Sequence, residues 1–120
     1  MKTYLERINE QTPTRMWVNN PTPSEAKKGL EAGTFGATSN PTYLSHMLKA
    51  EETKDAALSA IDRYVRMTED DHLVVALAYQ EMIAKIAEIF LPLFQETGGE
   101  NGWVAIQGYP YRDDDIDFIL

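Results

Sequence analysis

A chain of 120 residues is enough for one domain with a modest core, and its formal charge of −8 leaves no basic face for neutralising nucleic-acid phosphates. With no cysteine, disulfides and thiolate metal sites are excluded. The N-terminus lacks an apolar signal core and no apolar run approaches membrane length, which fits a cytoplasmic protein that does not enter a membrane.

Residues 3–10 place Tyr4, Leu5 and Ile8 at helical spacing, so a short amphipathic helix leads in, broken by Thr12-Pro13-Thr14. Residues 16–19 read as a first strand, with Met16 and Val18 on one face and Trp17 and Asn19 on the other. Pro21 and Pro23 stop it, Ser24 is the expected N-cap of a helix reaching Glu31, and Gly33 suits a left-handed helix end. Residues 34–39 form a second strand, rich in β-branched and aromatic side chains. Strand, helix and strand in this order are a βαβ pattern, most naturally parallel.

The turn after that strand is the most informative stretch. Pro41 denies the strand its next donor and holds Asn40 extended, while Thr42 is placed to cap the following helix. Gly36, Thr38 and Asn40 share a small polar face, and Phe35 and Ala37 share an apolar one. Helical stripes follow: Tyr43, Leu44, Met47 and Leu48, then Ala57, Leu58, Ile61, Tyr64 and Val65. A long helix over 69–95 carries Leu73, Leu77, Ile83, Ile86, Ile89, Phe90 and Leu93, its cap flanked by Thr68 and Asp71 and its last turn disturbed by Pro92. Gly98-Gly99 ends it, and residues 103–107 read as a third strand. The acidic stretch from Asp113 to Asp117 opens a last helix with apolar positions Ile116, Ile119 and Leu120. It lacks the glycine and bidentate glutamate of a calcium loop, so a solvated helix start is the better reading. The chain then stops in mid-element, as an N-terminal fragment would.

Thr38-Ser39-Asn40-Pro41-Thr42 after a short strand resembles the second-strand signature of the transaldolase family. Arg15-Met16-Trp17-Val18-Asn19-Asn20 and Val104-Ala105-Ile106-Gln107-Gly108-Tyr109-Pro110 extend the resemblance to strands one and three. It implies an α/β fold: residues 1–120 as the first three or so βα units of a transaldolase-like (β/α)8 TIM barrel, a fold of about 250 residues when whole. It also implies a parent enzyme moving a dihydroxyacetone unit between sugar phosphates through a lysine Schiff base, with no cofactor and no metal. In such a barrel the C-terminal strand ends converge on the active site. Asn19, Asn40 and Gln107 stand there as expected catalytic amides, and Thr38 and Ser39 as substrate-binding residues.

One departure matters. Asn19 occupies a position where the family usually has aspartate, and an amide cannot serve as a base. Asn19 with Asn20 as an ordinary strand-end turn is the plainer alternative. The Schiff-base lysine belongs to strand four, beyond Leu120; Lys2, Lys27, Lys28, Lys49, Lys54 and Lys85 all sit among charged or polar neighbours on helical surfaces or in the lead-in. The chain alone is therefore expected to be inactive. An unpaired edge on the third strand invites association, so a homo-oligomer is among the expected states. The competing reading is a small non-catalytic α/β binding or interaction domain, with the acidic surface and the long helix docking a partner.

Overall fold

The computed structural model describes residues 1–119, so the expected apolar role of Leu120 lies outside the described residues. In chain order the elements are α1 (Tyr4–Gln11), β1 (Val18–Asn19), α2 (Pro23–Ala32), β2 (Gly36–Thr38), α3 (Tyr43–Lys49), α4 (Lys54–Val65), α5 (Asp71–Glu96), β3 (Trp103–Val104) and α6 (Ile116–Ile119). They fall into two compact units: residues 1–38 with 85–105, and residues 39–84 with the chain from Ile106 onward. Helix α5 contributes its first part to the second unit and its last part to the first. Among the described residues no helix is long and apolar enough to cross a membrane.

The first unit holds a three-stranded parallel sheet in the order β1-β2-β3, as the βαβ pattern predicts. Val18 pairs with Ala37 and Asn19 with Thr38; Gly36 pairs with Trp103 and Ala37 with Val104. The strands are shorter than the sequence suggests, although single bonds extend the ladder: the Phe35 amide donates to the Met16 carbonyl at 2.9 Å and the Ala105 amide to the Ala37 carbonyl at 2.9 Å. Beyond Ala105 the ladder stops, so Gln107 lies past the third strand.

Close approach governs this unit. A Cβ on Gly36 would lie 2.4 Å from the Trp103 carbonyl oxygen and 3.0 Å from the Trp17 ring. One on Gly29 would lie 2.7 Å from Val18 Cγ1, so α2 rests directly on β1. Ala26, Ala37, Ile86 and Phe90 are buried here. Helix α1 is tied to the end of α2: the Thr3 hydroxyl donates to the Ala32 carbonyl at 2.6 Å and the Asn9 amide to the Gly33 carbonyl at 2.9 Å. The cap of α2 is Thr22 rather than Ser24, with Glu25 completing a capping box. Pro23 explains the shift. With its fixed φ and missing donor it suits the first helical position, which leaves the cap to the residue before it.

In the second unit Tyr43, Leu44, Met47, Ala57, Ala60, Val74, Ala78, Tyr79, Met82 and Ile83 are buried. The buried face of α4 is Ala57 with Ala60, whereas Leu58 and Val65 of the expected stripe are 48% and 56% exposed. Small residues let a helix approach closely, so alanine wins that face. The Thr53 hydroxyl donates to the Met47 carbonyl at 2.7 Å and joins α3 to α4. Asp70 caps α5, accepting from the amides of His72 at 3.0 Å and Leu73 at 3.2 Å. It sits between the two residues expected to flank the cap.

Two glycines of the first unit separate backbone strain from crowding. Both have left-handed φ, +61° at Gly98 and +87° at Gly102. A Cβ at Gly98 meets nothing within 4 Å, whereas one at Gly102 falls 2.5 Å from the Phe94 amide nitrogen and 2.8 Å from the Phe90 carbonyl oxygen. Gly98→Ala should cost about 1–2 kcal/mol, the left-handed penalty alone. Gly102→Ala should add about 1–3 kcal/mol of overpacking. Equal losses in urea unfolding would contradict the close packing at Gly102.

Candidate functional site

Sequence reasoning places five residues at the strand ends, and the structure gives each a definite local partner or setting. In the first unit Asn19 and Thr38 are brought together. The Thr38 hydroxyl donates to the Asn19 side-chain oxygen at 3.0 Å, with a longer 3.4 Å approach to the Val18 carbonyl. Register puts the two residues opposite each other on adjacent strands, one exposed and the other half-buried. The bond engages the carbonyl of the Asn19 amide, so its nitrogen is the end that presents donors. A carboxylate at position 19 would accept the same bond. The amide present at position 19 makes that bond but cannot take up a proton.

In the second unit Ser39 and the main chain of Gln107 meet on one hydroxyl. The Ser39 hydroxyl lies 2.6 Å from that of Tyr79, and the Gln107 amide donates to the same Tyr79 oxygen at 3.4 Å. Ser39 is 3% exposed and Tyr79 is 4% exposed, with the Tyr79 ring 5.8 Å from that of Tyr43. Ser39 is therefore buried in the scaffold. Tyr79 was missed by sequence reasoning. A tyrosine on an apolar helical face needs a partner for its hydroxyl, and that is a legible signal; its partners are remote in sequence and are not.

Asn40 builds its own turn. Its side-chain oxygen accepts from the Thr42 amide at 3.0 Å and from the Thr42 hydroxyl. Thr42 thus donates to Asn40 and makes no side-chain cap to α3, contrary to the expectation from sequence. Its backbone is already helical there, φ −79° and ψ −2°, whereas a capping hydroxyl needs an extended residue. The Gln107 side chain is exposed and lines a cavity of about 350 Å³ together with Leu73, Leu77, Gln80, Ile106 and Phe118.

All the lysines, Lys2, Lys27, Lys28, Lys49, Lys54 and Lys85, are exposed. His46 is exposed on α3, and the His72 Nδ1 lies 3.1 Å from the Tyr109 hydroxyl. Among the described residues no three of His, Asp and Glu group so as to hold a metal. Arg112 joins two acids, Asp70 at 2.7 Å and Asp115 at 2.7 Å. Asp70 is held below the usual carboxylate value chiefly by the Leu73 amide, with Arg112 adding to it; Asp115 is lowered chiefly by its bond to Arg112.

Two outcomes follow from these contacts. Tyr79→Phe removes one hydroxyl shared by two neighbours and should cost about 1–3 kcal/mol. Hydrogen exchange at the Gln107 amide should quicken in this variant; unchanged exchange would remove Tyr79 from its role. The second outcome concerns acid. Both carboxyls are depressed, so their contribution is present above the ordinary value of 3.8 and is lost as pH falls through their lower folded values. Tyr109 and Tyr111 resonances should shift in that acid window, and Arg112→Gln should move the transition upward towards 3.8. An unmoved transition would show that Arg112 does not hold the pair.

Set beside known proteins, the chain matches no family model, no curated protein and no solved structure.

Proposed function

We propose that this chain is the N-terminal, three-strand part of a transaldolase-like barrel that transfers a dihydroxyacetone unit between sugar phosphates in the cytoplasm. The observation that carries the reading is the parallel sheet in sequence order, with Asn19 and Thr38 hydrogen-bonded at the C-terminal ends of neighbouring strands. Strand ends of that kind are where a parallel barrel collects its chemistry. In this reading Asn19 of the first unit, and Asn40 and Gln107 of the second, are each neutral donors and acceptors suited to a hydroxyl group. Asn19 acts by donation, since Thr38 already engages its oxygen. Thr38 fixes Asn19, and Ser39 anchors the turn that carries Asn40 through Tyr79. The lysine that forms the Schiff base comes from outside these 120 residues, which agrees with the exposed, helical or lead-in positions of every lysine present.

The test has two arms. The chain alone, incubated with a ketose phosphate and borohydride, should show no adduct by mass spectrometry. Joined to the later βα units of a transaldolase, residues 1–120 should support a trapped lysine adduct on the added part. Asn40→Ala in that chimera should lower kcat by about a hundredfold with a smaller change in KM. A stoichiometric adduct on Lys49, Lys85 or another lysine of the chain itself would overturn the assignment, as would unchanged turnover in Asn40→Ala.

A further inference from the structure

We infer that the cavity beside Gln107 docks a basic, amphipathic helical segment of a partner protein. The inference goes beyond the sugar-phosphate reading and does not rest on it. Leu73 and Leu77 of α5, Ile106 and Phe118 line the cavity with apolar groups beside the polar, uncharged Gln80, Gln107 and Tyr109, and no charged side chain takes part in it. Its volume of about 350 Å³ is at the small end of ligand-holding pockets and has room for bulky apolar side chains. Ile119, itself exposed, also lines it.

Charge stands around this hole rather than in it. Arg112 draws two acidic segments together, holding Asp70 before α5 and Asp115 before α6, each at 2.7 Å. Its guanidinium also lies 4.0 Å over the Phe118 ring, which lines the cavity. Glu69, Asp71, Asp113, Asp114 and Asp117 are exposed on the same two segments. A single cation among these acids leaves a negative rim. The complementary partner is a helix with large apolar side chains at positions three and four apart, flanked by lysine or arginine. A second copy of this chain is disfavoured, since each copy carries −8 and the rim would face like charge.

The probe is a synthetic helical peptide with leucines at helical spacing and lysines elsewhere, titrated into the full chain by calorimetry and mapped by amide NMR shifts. Binding should perturb Leu73, Leu77, Gln107 and Phe118. It should weaken several-fold once salt passes about 0.1 M, where the Debye length falls to about 10 Å. Ala76→Leu, which fills the cavity from α5, should weaken binding roughly tenfold, as losing an anchor pocket does. Asp113→Lys combined with Asp117→Lys changes exposed residues only, and should weaken binding and flatten its salt dependence. A peptide with glutamates in place of lysines should not bind. Several results would overturn the assignment: no binding by the lysine peptide, equal binding after its leucines become serines, shifts mapping elsewhere, or full affinity in both variants.

Discussion

Position 36 tolerates no side chain, and the sheet of the first unit depends on that. A Cβ there would stand 2.4 Å from the Trp103 carbonyl oxygen, on the strand that pairs with it, and 3.0 Å from the Trp17 ring on the other side. Parallel pairs are slightly weaker per residue than antiparallel ones, and each pairing here spans only two residues on a side. Such short ladders have little to spare. Glycine lets β3 close on β2 while Trp17 covers the same position, and Ala37, one residue on, is wholly buried. The parallel order then fixes which residues stand opposite one another, and it sets Asn19 against Thr38.

Much of this order was legible in the sequence because backbone chemistry wrote it there. Pro21, Pro23, Pro41 and the paired Gly98-Gly99 interrupt the hydrophobic runs where the elements end, and proline and glycine act locally. What was not legible depended on partners. Periodicity showed that α4 was amphipathic and put Ala57 on its inner stripe, but it added the exposed Leu58 and Val65 and left out the buried Ala60, because it cannot weigh close approach against bulk. Ser24 and Thr42 both had cap chemistry. Each lost the role to a neighbour's constraint: Pro23 set the helix start at Thr22, and the Asn40 side chain took the Thr42 hydroxyl. The third strand stops early for a reason no single sequence displays. Its pairing with β2 ends once the Ala105 amide has reached Ala37.

The five residues expected at strand ends separate into two kinds by their bonds. Thr38 and Ser39 spend their hydroxyls inside the protein, one on Asn19 and the other beside Tyr79. Asn19, Asn40 and Gln107 are less buried than Ser39. Of these, Asn40 has its oxygen engaged by Thr42, while Gln107 is held by its main chain and leaves its side chain at the cavity. The two hydroxyls are thus satisfied within the fold, close to the backbone that carries them, and the amides of Asn19 and Asn40 each accept from a threonine, whereas Gln107 keeps its side chain at the cavity.

Neutral groups at the strand ends and acids elsewhere make a consistent electrostatic design. At position 19 the Thr38 hydroxyl engages the oxygen of a neutral amide, which adds nothing to a chain already carrying −8. The acids collect instead before α5 and before α6, where helix starts favour negative charge and where Arg112 binds one from each segment. In the second unit the negative charge thus gathers at helix starts, two of its acids held by the Arg112 that lies over Phe118 of the cavity. Gln107, an uncharged residue, lines that hole, and the charge near it favours a cationic neighbour over an anionic one. The lysines do not line that hole; they stand on exposed helical surfaces or in the lead-in.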